Sequence, residues 1–389
     1  MAQRSKAFEF FEKADYPDRG SEAWRHLPWK QVSLEAYPPA REVAGFTIKN
    51  EADLKGKGIS FVSLQEGMRS DSDSELLQKY RSKIEMPEGK FEFLATAFAN
   101  HGGFLFIPSV ELAEPIILSW DGRISKETVF PHLLIVAQSN SRASVVLQLT
   151  STDEEEAGMV FGVVEVLAER ESQLSLLSIQ EYGSSVNSFM TQKVRMEQGA
   201  EIQSILLGLG SHLAYSRLES ALSAEGANAE LLGFFFGQRD QHFNAHTLQD
   251  HQAPHTQSDL LFKSALSDQS SSAYYGLIRV EKGAQQTNAC QANRNLLLGK
   301  GARAHSVPVL EISADDVRCT HGATVGPVDD EQKFYLMCRG LDQGTTEQLL
   351  LYGFFEHAIQ RIRNEQLSQM VRDQLAERIG VEKEVMMLA

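Results

Sequence analysis

From about residue 100 to 335, apolar and polar positions alternate in short runs broken by turn residues; HGGFLFIPSVELAEPIILSW, HLLIVAQSNSRASVVLQLTS and VVEVLAERESQLSLLSIQE are three of them. Alternation with a period of two places apolar side chains on one face of a β-strand. The runs also recur. Their starts fall near Ala143, Gln173, Gly199 and Gly226, on average about 28 residues apart. Gly283 and Gly301 open two later copies of the same small-residue turn followed by alternating positions. A unit of this length cannot bury its own apolar face, so neighbouring units must stack. Stacked β-coils account for the pattern, with Gly-Ala pairs at corners where a Cβ would be crowded. A β-sandwich also yields many short strands with turn signals, and the pattern alone leaves the two open.

The ends of the chain have a different period. KAFEFFEKA (6–14) and SDSELLQKYRSKI (72–84) carry apolar residues at helical spacing, while GFTIKN and GISFVSLQ between them read as short strands. Trp24 and Trp29 in SEAWRHLPW read as packing anchors. After Gly340 the apolar residues fall at 349, 350, 354, 355, 359 and 362 and then at 367, 370 and 371, which predicts two or three amphipathic helices ending near Gly380. Thr345 with Gln348 predicts a capping box at their start. The expected organisation is a helix-rich region over 1–95, a β core over 96–339 and a helical region over 340–389.

Length and charge narrow the function. A chain of 389 residues exceeds one ordinary core. Its 37 Lys and Arg against 52 Asp and Glu leave a net charge of −15, which repels phosphate backbones and argues against nucleic acid as a partner. Three cysteines, Cys290, Cys319 and Cys338, are too few for a disulfide framework and fit a reducing, cytoplasmic setting. No apolar run approaches the roughly 20 residues of a membrane span, and the N-terminus lacks a secretory pattern, so no membrane association is expected.

The missing motifs weigh against a conventional enzyme: there is no phosphate-binding loop, nucleophile elbow, H-E-x-x-H, C-x-x-C or dinucleotide fingerprint. A carbohydrate-active β-helix would show clustered catalytic carboxylates and exposed aromatics along one face, and these are not evident. Two groups carry candidate chemistry. His242, His246, His251 and His255 lie within 14 residues and suggest a metal-dependent enzyme, yet on strands and turns their side chains diverge; Asp250 and Asp259 are then expected to orient the rings. Cys319 and His321 lie two apart in a β-like run, so both project to one face as a soft-ligand pair. A closed site needs about four ligands, so this pair predicts a site completed by a partner or a small molecule. Cys290 and Cys338 read as packing residues.

DQHFNAHTLQDHQAPHTQSDLLFKSAL, GLIRVEKGAQQTNACQANRNLLLG and PVLEISADDVRCTHGATVGPVDDEQKFYLMCRGL resemble the SufD family and, more loosely, the SufB family of the SUF iron–sulfur assembly system. EAWRHLPW and AFANHGGFLFIPSVELAEPI extend the resemblance to most of the chain. It implies a mainly β fold, a right-handed parallel β-helix flanked by helical regions at both termini. It implies a non-catalytic scaffold subunit that pairs with SufB through the β-helix and docks a SufC ATPase through the C-terminal helices, with Leu349, Tyr352, Phe355 and Ile359 facing SufC. His321 falls on the histidine of the family's C-x-H-G-A-T-V-G segment and Cys319 on its cysteine, which implies a nascent cluster or iron shared with SufB and no tightly bound cofactor. SufB-like chains carry a cysteine before an A-H-T-x-P element; here the stretch is GKGARAHSVP with Ala302 at that place, which sides with SufD. Whether the isolated chain forms a homodimer is not set by the sequence.

Overall fold

The computed structural model describes residues 2–380 apart from 29–31, 34–35, 42–44, 65–70, 87, 100, 123 and 152–154. The N-terminal region holds α1 (Ala2–Lys13), β1 (Thr47–Ile48), α2 (Glu51–Gly56), β2 (Ser60–Ser63), α3 (Asp71–Arg81) and α4 (Lys90–Phe98). Seventeen strands follow: β3 (His101–Ile107), β4 (Ile116–Gly122), β5 (Thr128–Val129), β6 (Pro131–Ala137), β7 (Arg142–Ser151), β8 (Gly158–Ala168), β9 (Gln173–Glu181), β10 (Val186–Met196), β11 (Glu201–Gly208), β12 (Leu213–Leu222), β13 (Asn228–Gly237), β14 (His242–His251), β15 (Gln257–Leu266), β16 (Ser271–Val280), β17 (Thr287–Leu297), β18 (Arg303–Ile312) and β19 (Val317–Pro327). Three helices close the chain: α5 (Asp330–Cys338), α6 (Gln343–Ile359) and α7 (Glu365–Ile379).

The strands alternate between two sheets. One runs β1-β4-β7-β9-β11-β13-β15-β17-β19 and the other β18-β16-β14-β12-β10-β8-β6-β3-β2, with β5 beside β8. Every pairing is parallel except β1 with β4 and β2 with β3, which are antiparallel and lie at one end. This is the parallel β-helix the recurrence predicts, of about 8 turns. Its register gives the period directly: Gln173, Glu201, Asn228, Gln257, Asn288 and Arg318 stand one above another, at spacings of 28, 27, 29, 31 and 30 residues.

The predicted corners are real, and glycine is only one way to build them. Asn140, Glu171, Gly199, Gly226, His255 and Gln286, each two residues before a rung of the first sheet, all have positive φ between 55° and 76°. Gly199 and Gly226 adopt that left-handed backbone without a Cβ penalty. The other four positions accept the strain as isolated turn residues.

Both outer faces are covered, which makes strands such as β8 buried at every position. The N-terminal region covers one sheet: Leu27, Phe91, Leu94 and Ala95 pack on Phe130, Phe161, Phe189 and Tyr215. Glu92 of α4 also reaches Arg217 at 3.2 Å. Helix α4 was not among the predicted helices, because KFEFLATAF is apolar on most of its circumference. Trp24 packs as expected, stacked on Tyr215 at 5.2 Å; Trp29 lies outside the described residues. On the other sheet, Leu351, Phe355, Ala358 and Ile359 of α6 and Leu367, Val371 and Leu375 of α7 pack on Leu177, Leu207, Phe234 and Leu261. The α6 cap differs from the expected box: Asp342 is the N-cap, its carboxylate accepting from Thr345 N at 3.0 Å. Among the described residues no helix is long and apolar enough to cross a membrane.

Candidate functional site at the open end of the β-helix

The two ends of the β-helix differ. The first turns are closed by the antiparallel strands β1 and β2, whereas β18 and β19 are the last strands of their sheets and no described strand pairs with their outer edges. Most of β19 is exposed, and much of β18 is only half-buried. Of the seven exposed large hydrophobic residues among those described, five lie here: Ile312, Val325, Phe334, Tyr335 and Met337. Helix α5 buries no residue. It lies within the span 96–339 expected to be β core.

Cys319 and His321 both lie on β19, in register with Ala289 and Gln291 of β17. Ala289 and Gln291 face the interior of the β-helix, at 1 % exposure each, so the pair sits on the topmost layer of the interior rather than on its flank. His321 is exposed and Cys319 half-buried. Cys319, like Leu310 and Val317, packs against the small cluster of Ile278, Val280, Ala284, Ala289 and Ala314, and burial pushes its thiol pKa up, partly opposed by a backbone hydrogen bond from Ala289. A thiol held protonated becomes a ligand only when a metal or base takes its proton. Ala302, where a SufB-like chain has cysteine, is buried just before β18 and offers no thiol.

The layer beneath the pair is polar. Interior positions of β9 and β11 mix Leu174, Leu176, Ile202 and Leu206 with Ser178, Gln180 and Ser204, whereas β17 carries Gln291, Asn293 and Asn295 in succession. Gln291 accepts from the Tyr274 hydroxyl and donates to the Gly276 carbonyl, both at 3.2 Å, and the Tyr274 hydroxyl also meets Thr247 Oγ1 at 3.0 Å. Asn295 donates to Asn293 at 2.6 Å and to the Thr324 carbonyl of β19 at 3.2 Å. Hydrogen-bonded pairs also occur deeper, Gln192 with Ser204 and Ser216 with Gln180, but three successive amides mark the layer next to the open end. Alternation alone does not reveal this layer, because Gln and Asn at strand positions read as solvent-facing.

The four clustered histidines do not converge. His251 points into the interior, with Thr256 at 2.8 Å from Nδ1 and Ser258 at 2.7 Å from Nε2. His242 and His246 point to the outer face, toward Ser271 at 2.9 Å and Tyr215 at 3.4 Å. His255 occupies a corner with φ of 57°. Burial lowers His242, His246 and His251 to about 4, 3 and 4, with neighbouring basic groups adding to the effect on the first two. Asp250 and Asp259 do not orient these rings: the first accepts from Gln252 and the second pairs with Arg361 at 2.8 Å. No group of three potential ligands gathers among the described residues, so Cys319 and His321 offer two ligands where a cluster needs about four.

The remaining site expectations also meet the structure. Phe355 and Ile359 are fully buried against the chain's own sheet, and Tyr352 is 4 % exposed against α7; these three anchor α6, which corrects their assignment to a face offered to a partner. Leu349 is half-buried. Cys338, expected to pack, is exposed, and Cys290 is half-buried.

A β-helix open at one end, with a thiol and an imidazole on its last interior layer, defines the class. Residues 121–354 match the SufBD core domain of SUF-system FeS cluster assembly, and the chain belongs to that family. Within it, the chain is similar to the iron–sulfur cluster assembly protein SufD of Bacillus subtilis, 27% identical over 80% of this chain and 71% of that protein. It is also similar to SufBD family proteins of Mycobacterium leprae (30% identical over 65% of each chain) and Staphylococcus saprophyticus (26% over 83% of this chain and 69% of the other).

Proposed function

We infer that this chain is a scaffold subunit for iron–sulfur cluster assembly, without catalysis of its own, which pairs with a SufB-like chain across its open coil and shares a nascent cluster there. The observation that carries this reading is the position of His321: exposed, on a terminal strand whose outer edge no described strand pairs, continuing an interior column. A second β-helix added to β18 and β19 would bury the edge amides, cover Ile312 and Val325, and bring its own ligands against His321 and Cys319. The cluster is cargo, so an incomplete ligand set is what the role requires. For a SufC-like ATPase the surface offered at the C-terminal helices is the exposed face of α5, Phe334, Tyr335 and Met337, rather than the buried side of α6.

The test is His321→Ala co-expressed with SufB and SufC, reading complex assembly by gel filtration and cluster by its visible absorbance. Intact assembly with the cluster lost supports the ligand role. Intact assembly with a full cluster removes it, and loss of both makes His321 architectural.

A further inference from the structure

The N-terminal segment Ser21–Pro28 folds as a tight turn, with Trp24 N and Arg25 N both bonded to the Ser21 carbonyl. It lies on the outer face of the sheet that ends in β18, where Trp24 sits between Tyr215 and an edge of His246 at 4.7 Å and Leu27 is buried. At its far end the His26 ring stacks on His305 of β18, with ring centres 3.8 Å apart and planes 13° from parallel. One strap residue thus contacts the last strand of its sheet, which is otherwise paired on one side only, with β16.

The chemistry around that stack is one-sided. Arg25 Nε donates to His26 Nε2 at 3.2 Å, so that nitrogen must be unprotonated. His26 is lowered by burial, then by His305 and Arg25, and His242 of β14 by burial, then by His26, His305 and His212. His242 Nε2 is itself buried without a hydrogen-bond partner. His212 has Asp240 at 3.8 Å. On β18, Arg303 lies two residues before His305 on the same face. Glu22, Arg279 and Glu311 act on Tyr275 of β16, at the Trp24 side of the strap. The charges that displace the stacked ring and its buried neighbour are therefore all basic.

We propose that residues 21–28 form a latch on the terminal coil, closed while His26 stacks on His305 as a neutral ring and released when His26 gains a proton. A proton on His26 Nε2 removes the acceptor for Arg25 and places an imidazolium against a guanidinium and a second imidazole. The sign follows from linkage. A histidine whose pKa is depressed in the closed state contributes stability that is complete above about 6.5, and loses it as pH falls from there through the closed-state value. Release frees the His305 side of β18, itself the edge strand, without touching the Cys319–His321 layer.

Hydrogen exchange of the full chain between pH 8 and pH 5.5, corrected for intrinsic rates, tests this. Strap amides should lose protection by about tenfold for each pH unit of depression, while β10 and β12 keep theirs. Unchanged strap protection at pH 5.5 overturns the latch. His26→Phe keeps a stacked ring that cannot charge, and should hold the strap closed at pH 5.5. If that variant opens on acidification as the unmodified chain does, or is already open at pH 8, the His26 imidazole is not the control and the proposal falls.

Discussion

Gly276→Ala is the sharpest probe of the polar layer under the candidate site. Gly276 faces the interior between Thr247 of β14 and Pro308 of β18. A Cβ built there would lie 2.1 Å from the Tyr274 hydroxyl oxygen and 2.5 Å from Gln291 Oε1. The backbone takes alanine without strain, so the whole cost is this collision. Tyr274 cannot swing aside: its ring is buried beside Phe262 at 5.7 Å, and its hydroxyl is tied to Thr247 and Gln291. Overpacking costs about 1–3 kcal/mol, and each hydrogen bond broken in the retreat adds about 1 kcal/mol. The expected loss is therefore about 2–5 kcal/mol, read from urea unfolding followed by circular dichroism. Tyr274→Phe removes the atom hit hardest, so in the double variant the two costs should fall short of their sum by about 1–2 kcal/mol. A Gly276→Ala protein within about 0.5 kcal/mol of the parent, or a strictly additive pair, would refute the packing argument.

Two further outcomes follow from the frame. Phe355→Ala should cost about 3–5 kcal/mol, since the ring is fully buried against Phe234 at 6.3 Å, while Leu349→Ala, half-buried, should cost clearly less; thermal melts giving equal losses would show that α6 is not anchored as described. Gly226→Ala should cost about 1–2 kcal/mol from its φ of 76° alone, no atom lying closer than 3.7 Å to the added methyl, whereas Gly283→Ala, with open space and no such φ, should be near neutral; similar midpoints for the two would sink the corner argument.

The recurrence of just under thirty residues was legible because a coil's corners and apolar columns must repeat wherever coils stack. The terminal helices were legible from their 3.6-residue period. What stayed hidden depended on context rather than pattern. Phe355 and Ile359 read as one apolar face, and period alone cannot say whether that face meets the chain's own sheet or another molecule. Helix α5 was missed because FYLMC satisfies a strand and a short helix equally. Cys319 and His321 were found as a pair, and their shared face followed from alternation. That this face is the interior of the coil, and that Gln291 and Tyr274 lie beneath it, required the register.

The run of amides beneath β19 bears on why the site sits where it does. An open coil exposes its interior to water whenever it stands alone. Had Leu and Ile columns run to the end, separation from any partner would wet apolar surface, at about 25 cal/mol per Å². Gln291, Asn293, Asn295 and Tyr274, buried one layer below at 1–4 % exposure, instead hydrogen-bond among themselves. On β18 and β19 the exposed large apolar side chains of the open end are Ile312 and Val325 alone. Two ligands placed on this end, Cys319 and His321, can then be assembled into a site and taken apart again without exposing the chain's apolar core, which lies turns deeper among Leu174, Ile202 and Leu231.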